Sequence, residues 1–211
     1  MSRRVIRTLL STTIFIATRL AAQQPAPPAP LVRENATQKI GTHTYLIPDF
    51  NTPLVPNVGI VVGSRATLVI DTGMGTRNGQ AVLRETRKVS KTPTLYLAFT
   101  HFHPEHDLGA QGFPPEAKVI RSADEDKDIA EFGLDLANQF ATRSPINAEL
   151  LKGVTFRKTD IPFDREYMLD LGGVHVQMVA FSRDSSLSQS YPFSSSSRAS
   201  SFVPDLTMRP L

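Results

Sequence analysis

The residues with the most chemistry to offer lie in one short stretch, Thr100-His101-Phe102-His103-Pro104-Glu105-His106-Asp107-Leu108-Gly109. Three of the chain's five histidines and two carboxylates fall within the seven positions from His101 to Asp107. Imidazole and carboxylate are the ligands of Zn, Fe and Mn, and a backbone turn can aim such a cluster at one point. His101 and His103, two positions apart, can reach one metal from a tight turn, while Glu105 and His106 are expected on its other side. That spacing suits two adjacent ions, or one ion and a carboxylate that orients its water.

Something must hold that stretch in place. The apolar run Thr94 to Phe99 reads as a buried strand, which puts the cluster on the loop beyond its C-terminal end, where open sheets place their chemistry. Upstream, His43–Ile47, Asn57–Gly63 and Ala66–Ile70 read as strands, and the last runs into Asp71-Thr72-Gly73-Met74-Gly75. A helix is expected over Asn78–Val89, with cations at its C-terminal end and Thr92-Pro93 stopping it. Lys118–Arg121 reads as another strand. Ser122 and Glu125 form a capping box for a helix striped by Ile129, Phe132, Leu136 and Phe140. Val154–Arg157, Glu166–Leu171 and Val174–Phe181 are expected strands, the last two joined in a hairpin at Gly172-Gly173. Strands with interleaved helices make this an α/β layered domain.

Composition narrows the function classes. With 211 residues, the chain can bury one sizeable core. No cysteine is present, which removes thiolate ligands, disulfides and a Cys nucleophile. The net charge of +3 misleads, because Arg3, Arg4, Arg7 and Arg19 precede residue 23, where no acid occurs. Without them 19 basic groups face 20 acidic ones, so charge gives no reason to expect a nucleic-acid partner.

Residues 1–22 combine those arginines with a short apolar run and Leu20-Ala21-Ala22, the pattern of an export signal, and Ser2 to Arg7 also resembles a twin-arginine signal. No run is long enough for a stable membrane span. Residues 23–30 hold four prolines and read as an extended linker. From Ser182 to Ser201 eleven of twenty residues are Ser, so the tail 182–211 is expected to be disordered.

The motif His101-x-His103-x-Glu105-His106, with a strand ending in Asp71-Thr72-Gly73 before it and Gly109 after it, resembles the metallo-β-lactamase superfamily. The usual form there is His-x-His-x-Asp-His. The resemblance covers roughly residues 40 to 181. It implies the αββα sandwich, incomplete here in its C-terminal half, with residues 31–181 as a partial domain. It also implies His101 and His103 as ligands of a first metal site, Glu105 and His106 as candidates for a second, and Asp71 and Asp107 as residues orienting ligands. The cofactor implied is one or two Zn ions, with Fe or Mn as alternatives, and the substrate is a small molecule attacked by metal-activated water that Glu105 orients or deprotonates.

Two departures qualify this. Glu105 stands where the family has Asp, one methylene longer, which changes whether the carboxylate binds metal or holds water. After Phe181 the sequence lacks the family's further histidines and bridging Asp, and His175 reads as a surface residue of the hairpin. A truncated or frameshifted reading frame is the expectation, or a partner chain supplying the missing ligands. Weak metal binding and low turnover follow, since catalytic zinc takes about three protein ligands. A metal-binding or interaction domain without catalysis, and a thiol oxidase at mononuclear iron, remain the rival readings.

Overall fold

A computed structural model describes residues 28–180. The export signal, most of the linker, Phe181 and the Ser-rich tail lie outside the described residues.

Seven strands form one sheet in chain order: β1 (Gln38–Lys39), β2 (Thr44–Ile47), β3 (Val58–Val62), β4 (Ala66–Ile70), β5 (Thr94–Ala98), β6 (Lys118–Ser122) and β7 (Ile161–Phe163). The pairs from β1 to β4 are antiparallel and those from β4 to β7 parallel. The change follows from the connections: turns and loops without a helix join the first strands, whereas α1 (Gly75–Val89) carries the chain from β4 back to the start of β5. A second, two-stranded sheet pairs β8 (Glu166–Asp170) with β9 (His175–Val179).

Strand alternation sorts the side chains into two cores. Val58, Ile60, Val69, Leu95, Leu97 and Val119 face Ala81 and Val82 of α1. Val61, Leu68, Ile70, Ala98 and Ile120 face Leu169, Val176 and Met178 of the small sheet. The layers are therefore helix, large sheet and small sheet, an α/β fold. The outward face of the small sheet carries Glu166, Met168, Asp170 and His175, all exposed.

Two short helices, α3 (Ala123–Asp128) and α4 (Leu134–Thr142), follow β6, with a π-helical turn at Ile129–Gly133 between them. The Ser122 hydroxyl caps α3 by accepting the Glu125 N–H. Helix α5 (Pro145–Leu150) follows, with the Ser144 hydroxyl capping it by accepting the Asn147 N–H. Phe140, Leu150 and Leu151 gather Met74 and Leu108 into a third core beside the histidine loop.

Two expectations need correction. Helix α1 starts at Gly75, three residues earlier than the pattern predicts. Val154–Arg157 is not a strand, and the strand in this region is β7. Side chains hold that segment instead: Val154 and Phe156 pack against the third core, and Arg157 donates to the carbonyls of Ala110, Pro114, Pro115 and Ala117. His175 is exposed on the hairpin, as expected, with Nε2 3.9 Å from Asp170 Oδ1.

Candidate metal centre

Strands β4 and β5 are parallel neighbours, with Ile70 opposite Ala98, so both empty at the same end of the sheet. One delivers Asp71 and the other delivers Thr100 and His101, and the Asp71 N–H still bonds the Ala98 carbonyl at 2.9 Å. Asp71 adopts φ +64°, a left-handed conformation uncommon outside glycine. Its carboxylate is buried and accepts the Thr100 N–H at 2.8 Å. The chain then turns through His101, Phe102 and His103 into α2 (Pro104–Asp107), where Pro104 starts the helix.

The turn brings the three imidazoles together more closely than their spacing alone implies. The His101 ring lies 4.4 Å from that of His103 and 4.1 Å from that of His106, centre to centre. His106 therefore stands beside His101 and not on the far side of the turn. Its Nδ1 lies 2.9 Å from Asp71 Oδ2. The Thr100 hydroxyl is 3.0 Å from Asp71 Oδ2 and 3.1 Å from Nδ1 of both His101 and His106. Glu105 sits beside the group, with Oε1 3.9 Å from His103 Nδ1.

Electrostatics differ across the cluster. Burial, reinforced by the charges of its two neighbouring histidines, holds His101 down at about 3. Burial, with His106 and Arg143 adding to it, holds His103 at about 4. Both imidazoles are neutral at pH 7 and keep a lone pair for a ligand. In His106 burial works the same way, but the hydrogen bond and charge of Asp71 outweigh it and hold this imidazole above its usual range. Burial also raises Glu105 above the ordinary carboxylate range.

Behind the loop, Thr72 pins the backbone of the cluster. Its N–H donates to the His106 carbonyl at 2.7 Å, and its hydroxyl lies 3.0 Å from the carbonyls of both His106 and Asp107. Asp107 turns away from the imidazoles and receives Arg121 Nη2 at 2.6 Å, both side chains being fully enclosed. Burial pushes Asp107 up to about 6 even so. Neither Thr72 nor Arg121 was singled out from sequence. Thr72 sits in Asp-Thr-Gly and had a local signal, whereas an arginine ending a strand reads as exposed.

The donors fit a metal ion in kind. His103 Nε2 and Glu105 Oε2 are buried with no hydrogen-bond partner, the condition of atoms that an ion would satisfy. They do not form a closed set: as the side chains stand, no group of three or more His, Asp or Glu among the described residues is arranged to hold an ion. The side chains are gathered and partly buried, short of full enclosure.

Comparisons with known proteins bear on the same region. The sequence model described as "Metallo-beta-lactamase superfamily" matches residues 51–180. A linear primary-alkylsulfatase from Pseudomonas sp. is 38% identical over 52 residues, which is 25% of this chain and 10% of that enzyme. Among solved structures, the stereoselective inverting sec-alkylsulfatase Pisa1 from Pseudomonas sp. has a TM-score of 0.52 at 16% identity, over 69% of this chain and 27% of its own. A mutant metallo-beta-lactamase from Legionella gormanii has a TM-score of 0.51 at 17% identity, over 74% of this chain and 54% of its own. At such identities the likeness is one of fold. The chain spans a tenth of the length of the curated relative and between about a quarter and a half of these solved structures.

Proposed function

The chain belongs to the metallo-beta-lactamase superfamily, and from that premise we propose that it is a metal-dependent hydrolase of a small-molecule substrate; the arginines and short apolar run of residues 1–22 support export from the cell. One observation carries the reading: three imidazoles packed ring against ring at the joint end of β4 and β5, with Asp71 behind them. His101, His103 and His106 would hold the ion, with Glu105 beside it, and zinc suits this set of nitrogen and carboxylate donors. A bound zinc supplies Lewis acidity and lowers the pKa of water to about 7.

The chain's own residues do the rest. His106 donates Nδ1–H to Asp71, which leaves its Nε2 lone pair free. His101 can donate Nδ1–H to the Thr100 oxygen while the Thr100 O–H passes on to Asp71, which frees Nε2 of His101 in the same way. These proton positions are assigned from the hydrogen-bond network. One buried carboxylate thus sets two tautomers, and metal affinity responds strongly to such partners. Glu105, raised by burial, is suited to take a proton from water and return it to a leaving group. Phe99, Phe102 and Phe140 are nearly inaccessible and keep bulk water from the inner side of the loop.

The rival reading is a metal-binding domain of the same fold without catalysis. It draws on the open donor set among the described residues. Zinc uptake together with hydrolysis of a nitrophenyl ester, lost in Glu105→Gln with zinc retained, supports the hydrolase. Zinc uptake with no hydrolysis supports the rival. Iron in place of zinc would favour oxidative chemistry.

A further inference from the structure

Phe140 forms one wall of the histidine cluster, its ring 5.9 Å from that of His103 and inclined at 62°. Arg143, one turn further at the C-terminal end of α4, sets its guanidinium carbon 3.7 Å from the centre of the same ring. The residue is exposed, and its guanidinium has no hydrogen bond or ion pair among the described residues. Arg65, Arg84, Arg121 and Arg157 each hold a protein partner. Arg143 thus keeps five donors for something else, and stacking on an aromatic face keeps the planar group from swinging freely in solvent.

We propose that Arg143 is a specificity residue that binds an anionic group of the substrate, a carboxylate, sulfate or phosphate placed near the bond that is cut. The inference rests on the hydrolase reading for the identity of the site and adds the chemical class of its ligand. A guanidinium pairs such anions through two parallel N–H bonds, which fixes orientation as well as position. Held on the wall shared by Phe140 and His103, it would orient a bound molecule toward Glu105 and the imidazoles. Its role is in recognition and does not involve the reacting bond.

The test uses the full chain loaded with zinc and titrated with sodium sulfate and with sodium acetate, in the wild type, Arg143→Gln and Arg143→Lys. Arg143→Gln is expected to weaken anion binding about fivefold or more, as loss of a charge-assisted bond at a partly open site would. Arg143→Lys should fall between, because an ammonium keeps the charge and loses the fork. Zinc affinity should be the same in all three. Preference for sulfate over acetate would mark a tetrahedral group, and the reverse a planar one. Where a nitrophenyl ester is turned over, KM should rise for an anionic ester and stay unchanged for a neutral one. Equal anion affinity in wild type and Arg143→Gln overturns the proposal. Failure of the wild type to take up zinc overturns the hydrolase reading instead. The Arg143 Nε–H resonance, followed by NMR with or without metal, reports anion contact separately, and a resonance unmoved by both salts also overturns it.

Discussion

Asp71 is the residue on which the others turn. It holds His106 directly and His101 through Thr100, from a left-handed backbone conformation that the surrounding hydrogen bonds sustain. Asp71→Asn, which tolerates that conformation but removes the charge, is expected to lower zinc affinity about 10- to 100-fold. Thr100→Val should lower it by less, since His106 keeps its direct partner, and calorimetric titration orders the two. At this scale the sequence drew attention to His101, His103, Glu105 and His106 by type and spacing, and to Asp71 only through the family resemblance. It was opaque for Asp107 and Arg121. A buried ion pair between a loop and a strand fourteen residues apart carries no local pattern, and Asp107 looked like one more ligand-orienting acid. Arg143 was equally hidden, because an exposed arginine after a helix is ordinary until the ring beneath it is known.

At the scale of elements, the loop is fixed by close backbone packing. A Cβ built on Gly79 of α1 would lie 1.7 Å from the Gly109 carbonyl oxygen, so only glycine lets the helix touch the turn that follows the histidines. Gly79→Ala is expected to push the two apart and cost about 1–3 kcal/mol, read from urea unfolding, with weaker zinc binding as a second readout. The other end of α1 is tied by Glu85, which accepts the Asn35 N–H at 2.8 Å and the Thr37 hydroxyl at 2.5 Å and pairs with Lys88. Burial alone would raise this carboxyl, but the bonds from Lys88, Thr37 and Asn35 together hold it below its ordinary value of 4.5. A depressed folded-state pKa stabilises the fold fully above the unfolded value, and the contribution is lost as pH falls through the folded one. Thermal melts from about pH 7 to about pH 3 should therefore show a steeper acid loss in the wild type than in Glu85→Gln. Periodicity revealed β2 to β6 and the β8–β9 hairpin because each alternates or runs apolar. It placed a strand at Val154–Arg157, where apolar residues face helices and an arginine clamps carbonyls, and it passed over β7, whose Pro162 argues against a strand.

Over the whole molecule, the layers exist to bring two strand ends together. The large sheet is covered by α1 on one side and by β8–β9 on the other, and the third core around Met74, Leu108 and Phe140 supports the histidine loop. An α/β layered domain was readable from the alternation of strands and helices, and the family and its sandwich from one motif and its preceding strand. How the rings meet was not, since it depends on the parallel register of β4 and β5, set by contacts distant in sequence. Among the described residues no helix is long and apolar enough to cross a membrane. Metal binding by His101, His103 and His106 together is measured by calorimetric titration of the full chain with zinc. Uptake of about one zinc or more per chain, abolished in a His101→Ala, His103→Ala double variant that melts like the wild type, is the predicted result. No uptake by the wild type, or the same uptake by the double variant, would contradict it.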